Sequence, residues 1–388
     1  RDLGFKGVIV TTAWKGVGAS SLANLWCDTV GDMIDRHNYM GGGAGRHRIA
    51  EGEVSTFSHL GNPGRGLLNL GLFQVADMPF GVSEWSMTPP APYKAEAAPL
   101  FAFYGMGLQG WDASYHFATS AKRMGSGWPN LGKYVSHTPH YMGQFPALAF
   151  AVYNDHVDEG DVVALRRVNR NQVFSGRDEL GQSLGQGDHD YKKLGDRVAT
   201  PPEFLGIGKV ALAFEEGDSE FRDPEKNWDR ENKVLRSTTG QLVWHYGDRY
   251  VEVGSEKTQA VVGFAGGKTI ELPDVTVALD TRFVSLIFTP LDNRPLAESR
   301  QILVTAMARD KQTGTTYSED WSQLRQIGGP PLLMEPVQAT IRLKGGAPAQ
   351  VRPLDVYGVP RDEPVAVADD GSFRIDGTKR AFYYEVRR

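Results

Sequence analysis

The sequence has almost no cysteine, no long apolar run and no excess of basic residues. Cys27 is the only cysteine among 388 residues, so no disulfide can form within the chain. Cysteine usage therefore does not indicate whether the protein resides in an oxidising or a reducing compartment. No window approaches the roughly 18 apolar residues of a membrane span, so we expect no membrane partner. The net charge of −5 and the absence of a Lys/Arg cluster argue against nucleic acid as the partner.

The first ten residues, "RDLGFKGVIV", also lack expected features. They contain no initiator Met, no basic segment and no apolar segment with a cleavage site, so they do not resemble a signal peptide. We therefore expect this stretch to come from the middle of a longer chain.

Aromatic residues and glycine are abundant instead. The chain has 8 Trp, 14 Tyr, 18 Phe and 45 Gly. This composition is typical of proteins that bind the flat faces of sugars, and equally of sheet-rich folds that need aromatic side chains in the core. The length predicts two or three folding units.

The first part of the chain alternates between strand-like and helix-like segments. Helix-compatible spacing occurs at 66–76 and 93–103. Strands are predicted at 8–12, 33–39, 80–85 and 107–112. This alternation predicts an α/β unit with a buried parallel sheet over residues 1–174.

The later part has short alternating runs separated by Gly, Asp, Asn and Pro. Hairpins are predicted at 242–253, 284–310 and 365–375. This pattern predicts an antiparallel β-sandwich over residues 205–388. The polar, Gly-rich segment 175–204 between the two units is predicted to be a linker or a long loop.

Polar and aromatic residues mark the predicted end of each of the four early strands. In parallel βα folds, ligands bind at the carboxyl ends of the strands, where the loops converge. We expect a cleft in which Glu84 faces a reacting carbon. The neighbouring strand ends supply flat rings and hydrogen-bonding groups: Trp14, His37, Asn38, Tyr39, Trp85, Gln109, Trp111 and Asp112. This arrangement is typical of sugar-cleaving sites.

The motifs "IDRHNY", "FGVSEW" and "LQGWDAS", in this order, resemble the C-terminal half of a clan A glycoside hydrolase. Members of that clan are (β/α)8 barrels that cleave β-linked sugars with retention. The resemblance implies that Glu84 is the nucleophile at the end of barrel strand seven. It places His37 and Tyr39 at strand six and Trp111 at strand eight, with residues 8–12 as strand five.

The resemblance also implies roles for these residues. Glu84 would attack the anomeric carbon, while Tyr39 and His37 keep its carboxylate ionised and oriented. Trp111 would form the floor under the sugar. The further substrate contacts would be Gln109, Asn38, Trp14, Asp112 and Trp85. We expect no cofactor and no metal ion, a polysaccharide or oligosaccharide substrate, and a secreted or periplasmic location.

One part of the clan's pattern is missing. The general acid/base of the clan is a Glu in an Asn-Glu pair that ends strand four, and strands one to four are not in this sequence. We expect the second carboxylate to come from a missing N-terminal half or a second chain, with Glu51, Glu53 and Glu96 as weaker candidates. The alternative hypothesis is a non-catalytic carbohydrate-binding or structural module derived from such a barrel.

Overall fold

The computed structural model describes residues 4–14, 20–63, 65–118, 132–175 and 200–388. Strand is far commoner than helix in the described structure, at 36% against 15%. None of the helices in these ranges is long and apolar enough to cross a membrane. Most of the predicted linker, residues 176–199, lies outside the described residues.

The helices of the described chain are short. The α-helices are α1 (Ser21–Asp28), α2 (Ala97–Leu100), α3 (Phe145–Tyr153) and α4 (Arg170–Val173). The 3₁₀ helices are His59–Gly61, Leu67–Phe73, Lys94–Glu96 and Pro202–Gly206. A π-helix spans Phe101–Leu108.

The strands are β1 (Ile34–Gly41), β2 (Gly52–Glu53), β3 (Phe80–Thr88), β4 (Ala113–His116), β5 (Val162–Arg167), β6 (Lys209–Ala213), β7 (Glu220–Phe221), β8 (Trp228–Asp229), β9 (Val234–Arg236), β10 (Leu242–His245), β11 (Tyr250–Gly254), β12 (Gln259–Gly263), β13 (Thr269–Glu271), β14 (Val275–Leu279), β15 (Val284–Pro290), β16 (Gln301–Met307), β17 (Asp310–Thr313), β18 (Thr316–Tyr317), β19 (Gln323–Gln326), β20 (Gly329–Met334), β21 (Ala339–Leu343), β22 (Gln350–Leu354), β23 (Ser372–Ile375) and β24 (Tyr383–Arg387).

The first sheet is parallel and runs in chain order, β1–β3–β4. Val10 adds a single parallel bridge to Met33, just before β1, so the predicted strand at 8–12 is reduced to this one contact. The predicted second and third strands are confirmed, but β3 continues to Thr88 and does not end at Glu84. Because all three strands point the same way, their carboxyl ends share one edge of the sheet.

The predicted strand at 107–112 is wrong. This segment is the end of the π-helix followed by a turn, and the fourth strand begins only at Ala113. Glycine here serves close packing: a Cβ on Gly105 would lie 2.6 Å from the Trp111 ring. Gly110 has a φ of +67°, which favours glycine.

The two predicted helical stretches form irregular helices. Segment 66–76 contains the 3₁₀ helix, and segment 93–103 passes through 3₁₀, α and π turns. Every residue from Leu67 to Phe73 is buried, so this helix has no solvated face. This segment of the connection between β1 and β3 therefore packs as part of the core.

The second part of the chain contains two large antiparallel sheets, besides the pair β17–β20 and the small sheet β18–β19–β2. The larger has nine strands in the order β22–β24–β16–β15–β12–β11–β10–β9–β8, and the smaller has the order β13–β14–β21–β23. The hairpins predicted at 242–253 and 284–310 are confirmed as β10–β11 and β15–β16. At 365–375 only an isolated bridge joins Val367 to Phe373, and β23 pairs mainly with β21.

The nine-stranded sheet is covered on both faces. In β15, Leu286 and Phe288 pack in the core shared with the four-stranded sheet, whereas Ile287 packs in the core that contains the parallel sheet. Side chains alternate between the faces of a strand, so a strand buried on both sides reads as a continuous apolar run. The antiparallel sheets fit a β-sandwich.

A further small sheet crosses the boundary predicted between residues 174 and 205. Strand β5 pairs in parallel with β6 and antiparallel with β7. Leu212 of β6 also forms a bridge with Val75, next to the parallel sheet. The strands of the two antiparallel sheets begin later, with β8.

Candidate active site

Glu84 lies on the parallel sheet beside two side chains of β1. The Tyr39 hydroxyl donates a hydrogen bond to Oε2 of Glu84. Nδ1 of His37 lies 3.4 Å from the same oxygen. The Glu84 side chain is 31% exposed and His37 is nearly buried, so the carboxylate can reach a ligand while its neighbours stay fixed.

A β-bulge explains how two consecutive residues of β3 reach this point. Arg36 pairs with Val82 and His37 pairs with Glu84, which leaves Ser83 as the extra residue. Bulges locally re-aim side chains and are common beside active sites. Ser83 and Glu84 therefore both contact His37, although neighbours on a regular strand point to opposite faces.

Aromatic rings pack against the two residues that contact the carboxylate, His37 and Tyr39. The Trp14 ring lies 5.5 Å from the His37 ring and is 54% exposed. Tyr39 has Phe117 and Tyr134 as edge-on neighbours, with centroids at 5.9 and 5.1 Å. The exposed indole beside His37 gives a flat apolar surface suited to a sugar ring.

Trp111 and Gln109 do not line this site, so their predicted substrate contacts are wrong. Trp111 is 2% exposed, and its Nε1–H donates to Oε1 of Gln74 at 3.1 Å. Gln109 is fully buried and donates to the carbonyls of Leu205 and Gly208. Both residues hold the π-helix in the core.

Asp112 also lies away from the site. Its Oδ2 accepts a hydrogen bond from the backbone N–H of Phe80 at 2.8 Å, and Phe80 begins β3. Asp112 therefore lies at the amino edge of the parallel sheet, whereas Glu84 lies further along β3. The predicted contact is wrong because residues 107–112 precede β4.

Asn38 and Trp85 lie next to site residues in sequence but point to the other face of the sheet. Asn38 is buried, and its Nδ2 donates to the carbonyl of Gly66 at 2.9 Å. Trp85 is buried and stacks on Phe101 with centroids 4.5 Å apart. Their predicted roles in substrate binding are wrong for the same reason, which is the alternation of side chains along a strand.

The three weaker carboxylate candidates occupy different surroundings. Glu96 is fully buried and accepts hydrogen bonds from Ser58 and from the backbone and ring of His59. It therefore cannot reach a substrate. Glu51 and Glu53 are exposed, and Glu53 belongs to β2, which pairs with β19.

The end of β4 carries a histidine that is not suited to acid catalysis near neutral pH. His116 stacks on Tyr141 with centroids 3.7 Å apart, and its Nδ1 lies 2.8 Å from Oγ of Ser136. Burial lowers the pKa of His116 well below its ordinary value, and the charge of His140 lowers it further. His116 therefore stays neutral and unable to donate a proton as imidazolium.

Sequence reasoning missed Phe117 and Tyr134 at this site and gave Ser83 no role. Phe117 directly follows β4, so a correct position for the fourth strand would have identified it. Tyr134 arrives from a loop, and no local pattern marks it. In the part of the chain that the structure describes, no group of three or more His, Cys, Asp or Glu could hold a metal ion.

No family model matches the chain, and neither a curated protein nor a solved structure matches it.

Proposed function

We propose that this chain is the nucleophile-bearing, C-terminal half of a retaining β-glycosidase of the (β/α)8 type, followed by a β-sandwich. The observation that carries the proposal is the contact of Glu84 with Tyr39 on neighbouring parallel strands. A partly exposed carboxylate held by a phenol is positioned to attack from one direction. The side chain of His37, on the same oxygen, restricts it further.

In the first step, an oxygen of Glu84 would form a bond to the anomeric carbon as the bond to the leaving oxygen breaks. A second carboxylic acid would give its proton to that oxygen. In the second step, the same group would take a proton from water, whose oxygen replaces Glu84 at the anomeric carbon. The chemistry needs no cofactor or metal ion.

The aromatic surroundings support a carbohydrate substrate. Trp14 offers an exposed ring beside His37, and Phe117 and Tyr134 flank Tyr39. We expect a polysaccharide or oligosaccharide, and a secreted or periplasmic location suited to such substrates. Trp14 takes the stacking role first predicted for Trp111.

Exposed apolar residues at both edges of the parallel sheet support a partner that completes the barrel. Beside β1, Phe5 and Val8 are 58% and 66% exposed. Beyond β4, a cavity of about 410 Å³ is lined mainly by apolar side chains, including exposed Tyr115, Phe145 and Tyr153. Additional strands and helices would cover these surfaces. They would also bring the second carboxylate to about 5–5.5 Å from Glu84.

The nucleophile can be tested separately from the acid. A dinitrophenolate leaves without a proton, so fluorinated dinitrophenyl β-glycosides should trap Glu84 as a covalent ester in the absence of the second carboxylate. A panel of such compounds with different sugars would be incubated with the full chain. We expect a mass increase of one glycosyl unit, located at Glu84 by peptide mapping.

Glu84→Gln should abolish the adduct, and Glu51→Gln provides the matched control because Glu51 is an exposed carboxylate of a loop. Equal labelling of Glu84→Gln and wild type would contradict the assignment. If no sugar of the panel labels the wild type but oligosaccharides bind by calorimetry, the non-catalytic carbohydrate-binding module is the better hypothesis.

A further inference from the structure

A chain of polar contacts extends from Glu84 into the sheet. Oδ1 of Asp35 accepts from the backbone N–H of Ser83 at 2.8 Å, and Oδ2 of Asp35 accepts from the Ser83 hydroxyl. The Ser83 hydroxyl oxygen lies 2.9 Å from Nε2 of His37. On the other side of that ring, Nδ1 lies 3.4 Å from Oε2 of Glu84.

The bulge in β3 makes this arrangement possible. Ser83 is the extra residue of the ladder, and its N–H turns to the Asp35 carboxylate. Asp35 and His37 are two residues apart on β1, so they lie on the same face of the sheet. The backbone N–H and the hydroxyl of Ser83 are therefore both held by side chains on the face of the sheet that carries the site.

The number of available hydrogens determines which group donates in the hydrogen bonds of Ser83 with Asp35 and His37. A serine hydroxyl has one proton, and an ionised carboxylate only accepts hydrogen bonds. Since the Ser83 hydroxyl donates its hydrogen bond to Asp35, the Ser83 oxygen can only accept a hydrogen bond from His37. Nε2 of His37 must then carry a hydrogen, which fixes the tautomer of the neutral ring.

The fixed ring has a consequence for Glu84. Nδ1 faces the oxygen that also accepts the Tyr39 hydroxyl, so the ring limits by contact where this oxygen can move. A neutral ring with its hydrogen on Nε2 has no hydrogen on Nδ1 to donate to Glu84. The groups around the His37 ring in the described structure include Glu84, Ser83 and, across one face, Trp14, with Asp35 behind Ser83. Rotation of the ring would break its bond to Ser83.

We propose that Asp35 and Ser83 are positioning residues that keep a hydrogen on Nε2 of His37 and hold Nδ1 towards Glu84. The hydrogen-bond arrangement stands on the geometry alone. Its effect on reactivity rests on the proposed function of Glu84.

The tautomer can be measured by NMR on the full chain labelled with ¹⁵N-histidine. Among the nine histidines, His37 is identified by loss of its signals in His37→Gln. Near neutral pH we expect Nε2 to carry a hydrogen in the wild type. A bare Nε2 with the hydrogen on Nδ1 would overturn the proposal.

Two variants sharpen this test. In Asp35→Asn, the new amide group can donate to the Ser83 oxygen, so the Ser83 hydroxyl turns to His37 and the hydrogen moves to Nδ1. Ser83→Ala removes the hydrogen bond to Nε2 of His37, so the two tautomers of the ring should interconvert and give averaged signals. Ser83→Thr keeps the hydroxyl and should show the wild-type signals. An unchanged His37 spectrum in both Asp35→Asn and Ser83→Ala would also overturn the proposal.

Reactivity provides the second readout. Misplacement of a reacting group by about 1 Å costs on the order of 100-fold, so Ser83→Ala should slow covalent trapping at Glu84 by a factor between about 10 and 100. Ser83→Thr should recover most of the rate. Ser114→Ala is the matched control, because Ser114 accepts from Trp85 outside this chain of bonds.

The two readouts separate the proposals. If His37 shows the expected tautomer but no glycoside traps Glu84, the proposed function fails and the positioning arrangement stands. If trapping proceeds at the same rate in wild type and Ser83→Ala, the positioning role is contradicted while the nucleophile assignment survives.

Discussion

Glu84 and Glu96 each contact a histidine, but their surroundings differ. Glu84 lies on β3 with 31% of its side chain exposed, and its contacts with Tyr39 and His37 both involve Oε2. Glu96 is fully buried, and both of its oxygens accept hydrogen bonds from Ser58 and His59. Both oxygens of Glu96 accept hydrogen bonds from the protein, so this carboxylate stabilises the fold. Glu84 is contacted through Oε2, so its other oxygen can bind a ligand.

The buried region around Glu96 also joins the parallel sheet to the antiparallel part. Lys94, on the same 3₁₀ helix, lies 2.5 Å from Oδ1 of Asp310, which begins β17. Nδ1 of His140 lies 3.1 Å from the other oxygen of Asp310. All three side chains are almost entirely buried. The buried charges of Lys94 and Asp310 therefore stabilise the fold, in contrast to the partly exposed carboxylate of Glu84.

The largest expected effect comes from breaking this buried pair. Asp310→Asn leaves the Lys94 ammonium buried without its counter-charge, which should lower the free energy of unfolding by about 3–5 kcal/mol. Urea titration measures the change. Asp161→Asn is the control, because the pair of Asp161 with Arg222 is exposed and should contribute little. Equal losses in the two variants would contradict a special role for burial.

The same pair predicts a pH dependence. Burial alone would raise the pKa of Asp310, but Lys94 and His140 lower it well below its ordinary value of 3.8. Burial lowers the pKa of His140 from 6.5, against the opposite effect of Asp310. Both groups have a lower pKa in the folded state than in the unfolded chain. Below the ordinary pKa, the unfolded chain therefore binds more protons than the folded state, and acidification favours unfolding.

The unfolding free energy should therefore fall on acidification, first below about pH 6.5 through His140 and then below about pH 4 through Asp310. The gap between wild type and Asp310→Asn should shrink in the second range. Urea titrations from neutral to acid pH measure this. A gap that stays constant across the acid range would contradict the depressed pKa of Asp310.

A smaller effect should separate the two glutamates. Glu96→Gln disrupts hydrogen bonds to a buried charge and should lower the unfolding free energy by about 1.5–3 kcal/mol. Glu84→Gln should change it by less than about 0.5 kcal/mol, because Glu84 is partly exposed. The measurement is urea unfolding of both variants. If Glu84→Gln were the more destabilising, Glu84 would be a structural residue.

The smallest effect on stability should come from Trp14. Trp14→Ala removes an exposed ring and should change the unfolding free energy by about 0.5 kcal/mol or less, yet weaken carbohydrate binding. Trp111→Ala should instead destabilise by about 3–5 kcal/mol, since that ring is buried. Calorimetry with oligosaccharides and urea unfolding together test the contrast. Unchanged sugar binding in Trp14→Ala would remove Trp14 from the site.

The sequence was sufficient for the parallel strands β1 and β3, for two hairpins of the antiparallel part and for the contact of Tyr39 and His37 with Glu84. Strand alternation could also have separated Asn38 from His37 and Tyr39, because residues two apart share a face. The barrel half and its chemistry stay a prediction.

Other features depended on tertiary packing. Gly105 lets the π-helix pack closely on Trp111, and Gly110 adopts a positive φ in the turn after it. In the sequence, residues 107–112 resemble a strand that ends on an indole. The bulge at Ser83 arises from its bonds to Asp35, which no local pattern reveals. Tyr134 lies outside any helix or strand, so its contact with Tyr39 depends on the tertiary fold.

The nine-stranded sheet, with one core on each face, links the folding of the two parts. Leu286 and Ile287 are neighbours in β15 but belong to different cores, so fraying of this strand would loosen both at once. Unfolding should therefore be a single cooperative transition across the parallel and antiparallel parts. A substitution in either core would then lower the tolerance of the whole chain to heat, including the parallel sheet that carries Glu84.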